Sequence, residues 1–209
     1  MTTFYIVRHG ETDYNKNGRY QGQTDIPLND LGREQTRYVG QRLAAVALDA
    51  IYSSDLSRAY ETARAVAAGR PIQLEPRLRE IHVGRVAGMS HQEIEASEPA
   101  FWAALKADPE RVPFPEGESA LDLQKRAVEA LEAIAASHPE GHVAIVTHGG
   151  VIKAMVAAVL GLPLAARNRI VLENCSLSVV RWQGDRRQLR SLNDTGHLPS
   201  APSAVRADF

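Results

Sequence analysis

Two short apolar runs, Phe4-Tyr5-Ile6-Val7 and Val143-Ala144-Ile145-Val146, restrict this chain more than anything else in it. Both read as fully buried strands. The first ends in Arg8-His9-Gly10 and the second in Thr147-His148-Gly149-Gly150. In an open α/β sheet, ligands bind just beyond the carboxyl ends of the strands. Two imidazoles at two strand ends can therefore meet in one crevice, and the arginine beside the first suits that crevice to an anion.

The remaining pattern alternates strand and helix. It predicts a three-layer α/β/α sandwich with a mostly parallel central sheet. Strand one covers 3–8, and a polar, glycine-bearing loop runs from Glu11 to Asp30. A helix starts with Asn29 as N-cap and reaches about Val46, with Val39 and Leu43 on one face. Ala50 to Ser53 is a strand. Ser54 or Asp55 caps a helix through about Ala67, and Ile72 to Leu74 is a short strand. Residues 84–115 hold Pro99, Pro109, Pro113 and Pro115 with short helical pieces, a lid-like helical insertion over the active site.

Ser119 to Asp122 resembles a capping box. Its helix runs to about Ala136, with Leu121, Val128, Leu131 and Ile134 facing inward. Strand 143–147 leads through Gly149 and Gly150 into an apolar helix ending near Leu160. Gln183-Gly184-Asp185 is a hairpin turn between Leu177–Arg181 and Gln188–Leu192. The expected domain is a single unit over 1–197, followed by a disordered tail over 198–209.

Bulk properties remove several functions. A chain of 209 residues with net charge −1 creates no global field for nucleic acid or membrane. No stretch is apolar enough to span a bilayer, and no signal-like segment is evident, so a cytoplasmic location is expected. Cys175 is the only cysteine and reads as a buried, inert thiol. Histidines are scattered, with no HExxH or EF-hand spacing, so no metal site is expected and no cofactor is required. Arg181 to Arg190 is basic, but on a hairpin its side chains alternate between faces, which weakens a nucleic-acid reading.

At Arg8-His9-Gly10, a neutral imidazole can attack phosphorus and leave again. The adjacent guanidinium offers a planar fork to phosphate oxygens and disfavours the imidazolium. Gly10 is expected to let backbone approach the anion. The tripeptide alone does not distinguish this from a surface loop. Arg58 lies in the first turn of a helix, where dipole and free N–H groups favour an anion.

Further segments follow in order: Glu11-Thr12-Asp13-Tyr14-Asn15, Arg19-Tyr20-Gln21-Gly22, Pro27 to Gly32, Ser53 to Ala59 with Glu61-Thr62-Ala63, and Asn193 to Leu198. With the first tripeptide, they make the chain resemble the histidine phosphatase superfamily, in the branch that also holds the cofactor-dependent phosphoglycerate mutases. The resemblance spans nearly the whole chain. It implies His9 as covalent nucleophile, His148 as the partner that stabilises the transferring phosphoryl group, and Glu80, within Leu78-Arg79-Glu80-Ile81-His82, as general acid. Glu80 could instead be a solvated carboxylate paired with Arg77 or Arg79. Arg8, Arg58 and Asn15 are the expected phosphate binders. Gln21, Gly22 and His82 are expected on the substrate side, and His197 could border the pocket. His91, His138 and His142 read as ordinary surface residues.

Departures from the family pattern favour a phosphatase over a mutase. The stretch Glu95–Glu118 is short and carries only Lys106 and Arg111 as basic residues. Val83 stands where the mutases usually carry tyrosine. Arg85-Val86-Ala87-Gly88 departs from the ending common in the small phosphatases. The expectation is a metal-independent phosphomonoester hydrolase acting on a small phosphorylated metabolite. The alternatives are a mutase and, third, a non-catalytic phospho-ligand-binding module. An exposed edge near the third strand could support a homodimer.

Overall fold

The computed structural model describes residues 1–199. Its strands are β1 (Thr2–Arg8), β2 (Ala50–Ser53), β3 (Gln73–Leu74), β4 (His142–Thr147), β5 (Leu177–Gln183) and β6 (Arg186–Asp194). They form one sheet in the order β3-β2-β4-β1-β5-β6. Neighbours from β3 to β1 are parallel, and the β5–β6 hairpin continues the sheet antiparallel.

Alternation along the central strands separates two cores. Phe4, Ile6, Val143 and Ile145 face helices α6 (Ala120–Ser137) and α7 (Gly149–Leu160). Val7, Ala144 and Val146 face α2 (Asp30–Ala44) and α3 (Ser57–Ala67). A strand buried on both faces cannot alternate apolar with polar, which is why β1 and β4 read as continuous apolar runs. Each large apolar side chain buried there contributes about 1.5–3 kcal/mol. The result is the expected three-layer sandwich.

Three local expectations are corrected. On α6 the inward stripe is Ala120, Leu123, Ala127, Ala130, Leu131 and Ile134, while Leu121 is 36% exposed. Alanines at the contact let the helix lie close to its neighbours, and a reading weighted toward large side chains passes over them. At α3 the N-cap is Leu56, and neither Ser54 nor Asp55 caps the helix. The Ser57 amide instead donates to Asp25 Oδ1 at 2.7 Å. Asp55 is engaged by Arg79 in a two-pronged pair at 2.7 and 2.5 Å. Leu198 packs against the α2–α3 core, and its amide donates to Thr195 O. Residues 200–209, the rest of the expected tail, lie outside the described residues.

The insertion contains α4 (His91–Ser97) and α5 (Pro99–Ala107), after the single-turn α1 (Asp13–Lys16) of the first loop. It builds a small core from Val83, Val86, Ile94, Trp102 and Phe114, against which Tyr20 and Ile81 pack. Those two flank Gln21 and Glu80, so the insertion lies against the segments carrying both. No helix among the described residues is long and apolar enough to cross a membrane.

Candidate active site

Register brings the site together. Arg8 is opposite Thr147, and Ser53 is opposite Val146. The next residue on each strand, His9, His148 and Ser54, therefore leaves the sheet beside the others. The His9 amide donates to Thr147 O at 2.9 Å, and the Ser54 amide to Val146 O at 3.0 Å. The two imidazoles meet edge to face with centroids 5.1 Å apart.

His9 is 2% exposed. Its Nδ1–H donates to Gly10 O at 2.7 Å, which leaves Nε2 with its lone pair. Burial, then the positive charges of Arg58 and Arg8, hold its pKa well below 6.5, so the imidazole is neutral at neutral pH. Gly10 also meets a packing demand: a methyl group there would lie 2.6 Å from Gly32 O at the start of α2.

Arg58 is fully buried in the first turn of α3. Its guanidinium donates to Thr24 O at 2.8 Å and Gly22 O at 2.7 Å, while Nε has no hydrogen-bond partner among the described residues. Among the described residues no carboxylate forms an ion pair with it. Burial lowers its pKa to about 10, partly offset by Glu80 and Asp25, so it stays charged at pH 7. Arg8 is also buried, and its guanidinium donates to Leu172 O.

Glu80 is half-buried and pairs with neither Arg77 nor Arg79, which hold Glu75 and Asp55. Oε1 accepts from the Ile81 amide at 2.8 Å and Oε2 from the Gly150 amide at 3.1 Å. The carboxylate thus rests on the N-terminus of α7, where the helix dipole favours it.

The other residues expected at the site, Asn15, Gln21, Gly22 and His82, divide. Asn15 Oδ1 accepts from the Thr12 amide at 3.2 Å and from Asn174 Nδ2 at 3.3 Å. Gln21 is buried, with Oε1 2.9 Å from the Thr12 hydroxyl. The Gly22 carbonyl is engaged by Arg58, so this residue holds the Arg58 guanidinium in place. The His82 ring is exposed, and its backbone is tied to Glu118. His197 Nε2 bonds Cys175 O at 3.0 Å, bracing the backbone behind β1. Cys175 is fully buried, and burial raises its thiol pKa. His138 and His142 bond Tyr52 and Tyr5 hydroxyls, whereas His91 is half-buried and packs edge to face on Trp102.

Two residues escape sequence reasoning. Asn174 is buried and its amide reaches His9 O at 3.0 Å, linking His9 to Asn15. Arg126 on α6 donates to the carbonyls of Arg77, Arg79 and Glu80 at 2.7, 2.6 and 2.9 Å and pairs with Glu118. It clamps the whole segment that carries Glu80. Asn174 had one available signal, its place in the Asn174-Cys175-Ser176 turn before β5. Arg126 had none, because its partners are backbone carbonyls 46–49 residues away.

Comparison with known proteins agrees with this fold. A protein of Erwinia tasmaniensis named "Probable phosphoglycerate mutase GpmB" is 34% identical over 205 residues, covering 95% of each chain. The solved structure of Bacillus stearothermophilus YhfR superposes with TM-score 0.88 at 38% identity, covering 94% of this chain and 99% of that one. A mycobacterial glucosyl-3-phosphoglycerate phosphatase, solved with VO3, superposes with TM-score 0.81 at 35% identity, covering 91% and 98%. Residues 4–195 match the family description itself. The chain belongs to the histidine phosphatase superfamily, branch 1.

Proposed function

We propose that this chain is a metal-independent phosphomonoester hydrolase that acts on a small phosphorylated metabolite through a phosphohistidine intermediate. The observation that carries the reading is the His9 imidazole. Its Nδ1–H is fixed on Gly10 O at 2.7 Å, and its neutral Nε2 is left as a nucleophile in the field of Arg8 and Arg58.

Nε2 attacks phosphorus, the N–P bond forms, and the P–O bond to the leaving group breaks. Glu80 takes up a proton when the phosphate anion binds beside it, and gives that proton to the departing oxygen, a contribution of roughly 10²–10⁴-fold. Water then attacks phospho-His9 and gives a proton to Glu80. The N–P bond breaks, its electrons return to Nε2, and inorganic phosphate leaves. Arg8, Arg58 and His148 stabilise the equatorial oxygens throughout. Phosphoryl transfer depends chiefly on such positioning and electrostatics.

The name of the Erwinia relative favours a second reading, a mutase. A mutase must hold a second phosphate while the first transfers. Lys106 and Arg111, the basic residues of 95–118, are exposed and paired with Glu95 and Asp108. That favours hydrolysis. Retention of His9, Glu80 and His148 together argues against a non-catalytic binding module.

The test is a panel of phosphometabolites in excess EDTA, scored for inorganic phosphate, with 3-phosphoglycerate isomerisation followed alongside. Phosphate release that survives chelation and outpaces isomerisation is expected. Rapid isomerisation with negligible release overturns the reading in favour of a mutase. A strict divalent-metal requirement contradicts the mechanism.

A further inference from the structure

The end of β2 contributes a third side chain to the site. Ser54 is fully buried, and its Oγ lies 2.8 Å from His148 Nε2. The Leu56 amide approaches the same oxygen at 3.4 Å. The other ring nitrogen, His148 Nδ1, is buried and has no hydrogen-bond partner among the described residues.

A neutral imidazole carries one N–H, and the bond made by one nitrogen decides whether the other can donate. His148 is held neutral by burial, foremost, and by Arg58. Its usefulness toward a phosphoryl oxygen therefore depends on tautomer. If Nε2 carried the proton, Nδ1 would present a lone pair and repel an oxyanion. The Ser54 hydroxyl makes the opposite arrangement favourable. Oγ accepts the Leu56 N–H and has no other acceptor for its own proton than His148 Nε2. The Ser53 hydroxyl donates elsewhere, to Ser54 O at 2.7 Å, and does not compete.

We infer that Ser54 is a positioning residue: its O–H donates to His148 Nε2, fixes the Nδ1–H tautomer, and so makes a neutral His148 a hydrogen-bond donor to the transferring phosphoryl group. This rests on the hydrolase reading for the identity of the group that receives the bond. Ser54 itself does not touch the substrate.

The test is ¹⁵N NMR of the full-length protein labelled at histidine, with inorganic phosphate bound, together with kinetics of Ser54→Ala and Ser54→Thr. In the unmutated protein, His148 Nδ1 is expected to show the protonated-type shift and Nε2 the unprotonated type. Ser54→Ala is expected to move these signals toward the other tautomer and lower kcat roughly 10- to 100-fold, the usual scale for losing an orienting partner. KM should change little, and Ser54→Thr, which keeps the hydroxyl, should restore kcat.

A protonated Nε2 in the unmutated protein overturns the inference, and that measurement needs no variant to fold. Unchanged kcat in Ser54→Ala with an unchanged tautomer also overturns it. Failure of the hydrolase reading looks different: His9→Ala would retain activity while the His148 tautomer stayed as described.

Discussion

The Glu80 carboxylate is seated on the backbone of Gly150, with Oε2 3.1 Å from its amide. A methyl group on Gly150 would lie 2.4 Å from Oε1. The glycine is therefore required by the acid beside it, although Gly150 lies in the first turn of α7, where alanine is the better helix former.

Gly150→Ala is the substitution that separates the acid from the fold. It should displace Glu80 and lower kcat by roughly 10²–10⁴-fold, the scale of general-acid catalysis. Thermal stability should be little changed, because the helix gains propensity while one carboxylate contact is lost. Steady-state kinetics and a melting curve on the same preparation check this. Undiminished kcat would remove Glu80 from the mechanism.

Arg126 holds Glu80 from the opposite side, through three carbonyls and Glu118. Arg126→Ala leaves those groups without their donor. It should destabilise the fold by about 2–4 kcal/mol, since hydrogen bonds to a charged group are each worth about 1.5–3 kcal/mol and partly coupled. Urea unfolding measures the loss. Arg126→Lys should recover only part of it, because an ammonium cannot reproduce the guanidinium fork.

Stability should also depend on pH through the paired imidazoles. His9 and His148 have folded pKa values well below 6.5, mainly through burial. The unfolded chain then binds more protons than the folded one as pH falls below about 6.5. Their contribution is complete above that pH and is lost as pH drops toward the folded values. The slope is up to about 1.4 kcal/mol per pH unit for each residue. Urea titrations at pH 7.5, 6.5 and 5.5 should show a shallower decline in a His9→Asn, His148→Asn variant. Equal slopes would contradict the burial argument.

Much of this was legible in the sequence because the strands and the two histidine endings are local features. β1 and β4 are continuous apolar runs, and the His9 and His148 endings follow directly from them. Asn29 and Ser119 cap their helices with their own side chains. What escaped is non-local. α3 takes its cap from Asp25 in another loop, Arg126 reaches across from α6, and Asn174 arrives from beyond α7. Their partners are backbone groups or distant carboxylates, which leave no pattern along the chain. Gly10 shows the same limit: its close approach to Gly32 in α2 leaves no pattern along the chain.

The central claim is that phosphorus becomes bonded to His9 Nε2 during turnover. Rapid-quench labelling with a ³²P-phosphomonoester tests it most directly. The account predicts an acid-labile, alkali-stable label on the unmutated protein, mapped to the peptide containing His9 and absent from His9→Asn, which should also be inactive. An unlabelled enzyme during steady turnover, with His9→Asn still releasing phosphate at the full rate, would contradict it.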